Sequence, residues 1–257
     1  MDLQKSAHIL SCILDLSRDI VAVTMLGSEN NFNKTTAAKL KGRLSFCAMA
    51  RIASLGHERK ATAQDICCPG ALEALGLSKP SPEAISGQRL QGFGLYANQN
   101  LAANVQSSMA RIETSGYGIL TSPLSASKNS PDSLLLLVNG YQAMRLVQGW
   151  AYHNGPLENM YLVGNRGICS EGVARPIVKG KPNLTPLCAN TRYTAKWSDA
   201  ELGFGMPFDC VESLLDGLIK TIPAVEPEYR RTAIAQRCEA AGINLNIPAG
   251  NCYFLRA

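Results

Sequence analysis

The chain has 257 residues, 46% hydrophobic and 18% charged, which suits a sizeable folded core and excludes a disordered chain. Its net charge of +5 comes without a Lys/Arg run or a basic stripe interleaved with aromatics, so a dedicated nucleic-acid binder is excluded. Nothing at the N-terminus reads as a signal peptide, and the longest apolar run, Leu134 to Val138, is far too short to cross a bilayer; a cytoplasmic setting with no membrane partner is expected.

Residues 3–17 set Leu3, Ala7, Leu10, Ile13 and Leu14 at helical spacing and predict an amphipathic helix. Residues 19–26 read as a buried strand and 28–35 as a polar loop. A helix is expected over 43–55, stopped at Gly56, and then an extended segment leading into Cys68. Residues 77–87 read as loop, 101–112 as helix, 117–124 and 132–140 as strands. A helix follows from Tyr141 and is stopped by Gly155-Pro156. "NMYLVGNRGIC" reads as strand and then turns, and 201–207 as a strand. Helices are expected over 209–222 and over "EPEYRRTAIAQRCEAAG". Strands and helices mix without regular alternation. The expected fold class is α+β, or an irregular α/β, with a mixed sheet and flanking helices. Residues 1–222 form one domain on this reading. Residues 223–257 are a C-terminal helical extension that could cap the fold or pack on a second subunit, which leaves a homo-oligomer open.

Nine cysteines in a reducing compartment are not a disulfide framework, and an odd number cannot pair completely. Cys47 and Cys68 are 21 positions apart, and Cys169 and Cys188 are 19 apart. In each pair a basic turn bounded by glycine is followed by an extended stretch into the second cysteine. This pattern suggests two half-repeats, about 18–125 and 126–222, whose four thiols could converge. Four thiolates suit zinc or an iron–sulfur cluster. The tight C-x-x-C pair usual for either is absent. The competing reading is that free cysteines pack as small hydrophobes, as Cys12, Cys210 and Cys238 do on this pattern. A third reading is thiol redox chemistry at Cys67-Cys68. The three histidines form no H-E-x-x-H, and neither a phosphate-binding G-x-x-x-x-G-K-[ST] nor a G-x-S-x-G occurs.

"SFCAMARIASLGHERKATAQDICCPGALEALGL", "DSLLLLVNGYQAMRLVQGWAYHNG" and "NLTPLCANTRYTAKWSDAELGFGMP" together resemble the DUF169 family, over roughly residues 18–220. The most specific parts are Cys68-Pro69-Gly70 with the Leu-Gly-Leu that follows, Gln142 to Arg145, and Cys188 to Arg192. The resemblance implies cysteines at positions 47, 68, 169 and 188, an anaerobic cytoplasmic setting, and no established activity. Where the family has glycine two residues after the last cysteine, this chain has Asn190. Arg145 and Arg192 fall in the shared segments and are the candidates for holding a cofactor, by offsetting thiolate charge or gripping a carboxylate or phosphate. The expectation is a metal–thiolate protein in which Cys47, Cys68, Cys169 and Cys188 ligate an iron–sulfur cluster of the four-iron type. It would serve electron transfer or redox chemistry on a small molecule or a redox partner. Zinc is the alternative metal. The alternative function is a non-enzymatic module that binds a small ligand or cofactor, its cysteines structural.

Overall fold

Side chains alternate between two apolar layers along the central strands. The structure, a computed structural model, describes residues 2–113, 116–250 and 252. Its strands are β1 (Val21–Leu26), β2 (Arg59–Thr62), β3 (Gly118–Pro123), β4 (Ser133–Val138), β5 (Asn183–Thr185) and β6 (Leu202–Pro207), joined in one sheet of order β2-β3-β1-β4-β6-β5. The helices are α1 (Leu3–Leu14), α2 (Glu29–Lys34), α3 (Phe46–Ser54), α4 (Pro69–Ala74), α5 (Pro82–Ile85), α6 (Gln88–Gly92), α7 (Gln99–Ser108) and α8 (Gly140–Asn154). A π-helix, Gly167–Ala174, then runs into α9 (Arg175–Lys179), followed by α10 (Ala189–Ala195), α11 (Val211–Val225) and α12 (Glu228–Ala240). The class is α+β.

Leu134, Leu136 and Val138 of β4 face a core shared with α1, α8, α11 and α12, while Leu135 and Leu137 face a second core shared with α3, α4, the π-helix and α10. The sheet thus separates two helical layers; Cys47 and Cys169 belong to the second, Cys68 packs against it, and Cys188 adjoins it at the start of α10. Each expected half-repeat supplies three strands. Read outward from the β1–β4 seam, both halves present their first, third and second strand in turn. Each half also carries one of the four candidate cysteines between its first two strands and one after its second.

Several expectations are corrected. Every named strand pair is antiparallel, so the sheet is not mixed in direction; parallel pairing is confined to the isolated bridges Lys39–Lys60 and Leu44–Ile66. The polar stretch 28–35 holds α2, because the Ser28 side chain caps it at Asn31 N (3.2 Å) and Phe32 on it is buried. The strand expected before Cys169 does not form. The Asn183 side chain takes both the N–H (2.9 Å) and the carbonyl (3.2 Å) of Tyr161, so that backbone needs no ladder. The helix expected over 101–112 ends at Ser108, and α11 runs past residue 222 to Val225. In the expected extension, α12 buries Cys238 and Ile234 against the first core, and residues 251 and 253–257 lie outside the described residues. Among the described residues no helix is long and apolar enough to cross a membrane.

Arg145 is 1% exposed and sits where α8 crosses α11. Its Nε donates to Glu226 Oε1 at 2.7 Å, and its other donors reach Gln148, Thr221 and the Leu218 carbonyl. The helices approach closely there because Gly217 faces Gly149; a Cβ at Gly217 would lie 2.0 Å from the Gly149 carbonyl oxygen. Removing one partner of such a pair leaves a buried charge uncompensated. Arg145→Met is expected to cost about 3–5 kcal/mol in urea unfolding, and an Arg145→Met/Glu226→Met double variant is expected to recover part of that loss.

Candidate functional site

The second core brings the four cysteines together from four separate chain positions. Cys47 is the second residue of α3, which begins at a Ser45 cap on Ala48 N (3.1 Å). Cys188 is the N-cap of α10. Thr191, three residues on and fully buried, sets its hydroxyl 3.0 Å from the Cys188 sulfur and 3.1 Å from the Cys47 sulfur. Cys169 lies in the π-helix, whose eight residues are all buried. Cys68 is the N-cap of α4 and is half-buried. Cys67 beside it is exposed, and Cys12, Cys210, Cys238 and Cys252 lie elsewhere.

The thiols act on one another electrostatically. The Cys47 thiol is the largest cause holding Cys188 down at about 5; the Thr191 hydroxyl and the N–H groups of Thr191 and Gly167 add to it against the opposing effect of burial. The adjacent Cys188, then burial and the charge of Cys169, push Cys47 well above the ordinary thiol value. Cys169 is pushed up by burial first and then by the charges of Cys68 and Cys188, while Arg166 opposes. Cys169 therefore links Cys68 to the Cys47–Cys188 pair. Without a compensating cation, one thiolate forms readily here, and further ionisation meets like charge and burial. Among the described residues no three His, Cys, Asp or Glu side chains close on a point that one ion could occupy.

Arg166 is the charged residue at this site that sequence reasoning missed. Its φ of 58° starts the π-helix from a left-handed residue, and its carbonyl lies 3.7 Å from the Cys169 sulfur. The guanidinium donates to Glu73 Oε2 (2.8 Å) and Gln106 Oε1 (3.0 Å), deep in the second core. It also explains Cys-Pro-Gly. Pro69 occupies the first position of α4, where no N–H is needed, and a Cβ at Gly70 would meet Arg166 Nε at 2.9 Å. The sequence signal was an arginine three residues before Cys169. Thr191 was similarly visible as a hydroxyl at the third position of a helix capped by cysteine.

The two arginines expected to hold a cofactor have other occupations. Arg145 belongs to the opposite face of the sheet, paired with Glu226. Arg192 donates to the carbonyls of Pro186 (2.7 Å), Ser198 (2.5 Å) and Glu201 (3.1 Å), tying α10 to the loop before β6. Asn190 sits in the helical first turn of α10; the left-handed residue nearby is Leu187, with φ 67°.

A family model described as an uncharacterised ArCR family, DUF169, matches residues 9–217, and the chain belongs to that family. The chain is similar to the uncharacterised protein MJ0308 of Methanocaldococcus jannaschii, at 24% identity over 219 residues, 84% of this chain and 94% of that protein. No solved structure matches it significantly.

A group with a depressed folded value contributes stability above its unfolded value and loses it as pH falls through the folded one. For Cys188 that window runs from about 5 to the ordinary 9.0. In metal-free protein, the ultraviolet thiolate absorbance is expected to retain one thiolate down to pH about 5. Cys47→Ala removes the main cause, so the midpoint is expected to rise; an unmoved midpoint would rule out Cys47 as its origin.

Proposed function

We propose that Cys47, Cys68, Cys169 and Cys188 hold an iron–sulfur cluster, and that the protein is a cytoplasmic redox protein. The observation that carries this reading is the convergence of four thiols, from two chain halves with the same strand order, around a site that already favours one thiolate. The donor set is all sulfur, the chemistry that selects iron–sulfur clusters or zinc. Zinc bonds of about 2.3 Å need sulfurs about 4 Å apart on a single point. A four-iron cluster spaces them to roughly 6–7 Å. The thiols lie near enough to act on one another, as ligands of one group would. The mutual repulsion of the thiols is also what a bound cation relieves, since metal binding lowers the ligand pKa. When bound, the cluster supplies one-electron chemistry.

The chain's own residues set the terms of that exchange. The Thr191 hydroxyl lies within 3.1 Å of both the Cys47 and Cys188 sulfurs and can donate its one proton to either, lowering electron density there. Burial of Cys47, Cys169 and Cys188 keeps water from three sides. Cys68 is the most exposed of the four, so the Cys67–Pro69 edge is where an electron partner or small molecule would approach.

Protein purified without oxygen is expected to carry about four irons per chain and a visible absorbance that bleaches on reduction. Alanine at any of positions 47, 68, 169 or 188 should lower iron and absorbance, while Cys67→Ala and Cys210→Ala should keep them. A folded, colourless, iron-free protein, or full absorbance in both Cys68→Ala and Cys188→Ala, would overturn the reading.

A further inference from the structure

Beyond the thiol site, at the far end of α4, lies a cleft of about 750 Å³ whose charged walls are Glu73, Lys79, Arg111, Glu113, Arg175 and Lys179. The cations outnumber the free carboxylates. Glu73 is 3% exposed and already shared by two guanidiniums, those of Arg89 and Arg166, with the Gln106 amide as a third donor. Among the described residues Lys79, Arg111, Arg175 and Lys179 make no ion pair with a carboxylate.

Arg111 is the centre of this excess. The segment carrying it is fixed on both sides. Ile112 N donates to the Ala74 carbonyl (2.9 Å), and the Ser170 hydroxyl donates to the Ala110 carbonyl (3.0 Å). Arg111 Nη2 donates to the Gln106 carbonyl at 2.7 Å, and Nε has no partner. Arg89 Nε and Arg166 Nη1, on the same carboxylate, are also buried without partners, and Arg166 is 93% removed from solvent at 7% exposure. Burial, and then the like charge of Arg166, holds Arg111 below the ordinary guanidinium value. Three guanidiniums around one carboxylate, each with an unused donor, leave a partly buried positive surplus. Folded proteins rarely leave such donors idle. Half-buried Arg111 and Arg175 line the cleft with exposed Lys79 and Lys179, beside that surplus, and present charge that an anion would answer.

We propose that this cleft binds a small molecule carrying at least two anionic oxygen groups, carboxylate or phosphate. One group is held by Arg111 at the floor, and the other by Lys79, Arg175 and Lys179 at the rim. Guanidinium forks suit both anions, and the paired lysines act as point charges that discriminate by charge rather than by shape. The inference does not depend on a cluster at the cysteines, because binding is read on metal-loaded and metal-free protein alike.

The test is titration calorimetry of the full chain with pyrophosphate and with citrate, at ionic strength fixed with sodium chloride. Saturable binding of one anion per chain is expected for at least one probe. The stronger probe tells phosphoryl from carboxylate recognition. Arg111→Gln should weaken it about tenfold or more, the loss of one charge-assisted pair. Should that variant not fold, Lys79→Gln/Lys179→Gln, at two exposed side chains, carries the same expectation. Lys128→Gln, beside a separate cleft near Thr36, should leave binding unchanged. Heats equal to sodium chloride dilution for both probes, or affinities unchanged in both Arg111→Gln and Lys79→Gln/Lys179→Gln, would overturn the proposal.

Discussion

The site depends on one close approach, that of the π-helix Gly167–Ala174 to strands β5 and β6. A Cβ at Gly205 would lie 1.9 Å from the Gly172 carbonyl oxygen, and one at Gly167 would lie 2.7 Å from the Leu187 backbone. Backbone meets backbone with no side chain between, so nothing there can yield to an added methyl. Glu171 locks the arrangement. Its carboxylate accepts from Val163 N (2.7 Å), Gly164 N (3.1 Å) and Thr185 Oγ1 (2.5 Å), joining the preceding loop, the helix and β5. Burial raises the Glu171 carboxyl and those three donors pull it back, so its place in the network is what keeps its charge tolerable. Cys169 is aimed by this structure rather than by its own rotamer. A π-helical turn costs hydrogen-bond quality and commonly marks functional positions.

The sheet then decides which residues can share a site. Period-two alternation sends Phe204 and Met206 of β6 to the core beneath α8 and α11, and leaves Gly205 against the π-helix and Gly203 against Thr185 and Leu187 on the same face. Every element that carries one of the four cysteines lies on this glycine-bearing face. Arg145, with its ion pair to Glu226, holds the opposite layer together, and the sheet stands between it and the thiols.

This division explains what the sequence could and could not reveal. Leu134 to Val138, the apolar positions of α1 and the Gly155 stop of α8 are local signals, and they were legible because local physics decides them. The four cysteines were legible as chemistry, through their types and turn contexts. The π-helix was not, since "GICSEGVA" with its two glycines reads as turns, and only tertiary contact with β5 and β6 makes it helical. Arg145 looked like a candidate ligand because an arginine on a helix carries no mark of which face it takes. Arg166 hid in a stretch that read as strand and turns, although it lies against the Cys-Pro-Gly corner.

The two charged regions of this face are coupled through α4. Cys68 caps one end and Glu73 lies five residues on, a rise of about 7.5 Å along a helix. That is within the screening length of roughly 8 Å at physiological ionic strength, and screening is weaker still for buried groups. Of the arginines that crowd Glu73, Arg166 reaches the thiols, opposing the rise of Cys169. Positive surplus there favours additional negative charge at the sulfurs, whether from ionisation or from an added electron. An anion in the cleft would cancel part of that surplus and make the added charge less favourable. Reciprocity then requires that added charge at the thiols weaken the anion by the same factor. The glycine corner at Cys68-Pro69-Gly70, which lets Arg166 lie flat against α4, is the residue pattern that makes this coupling short.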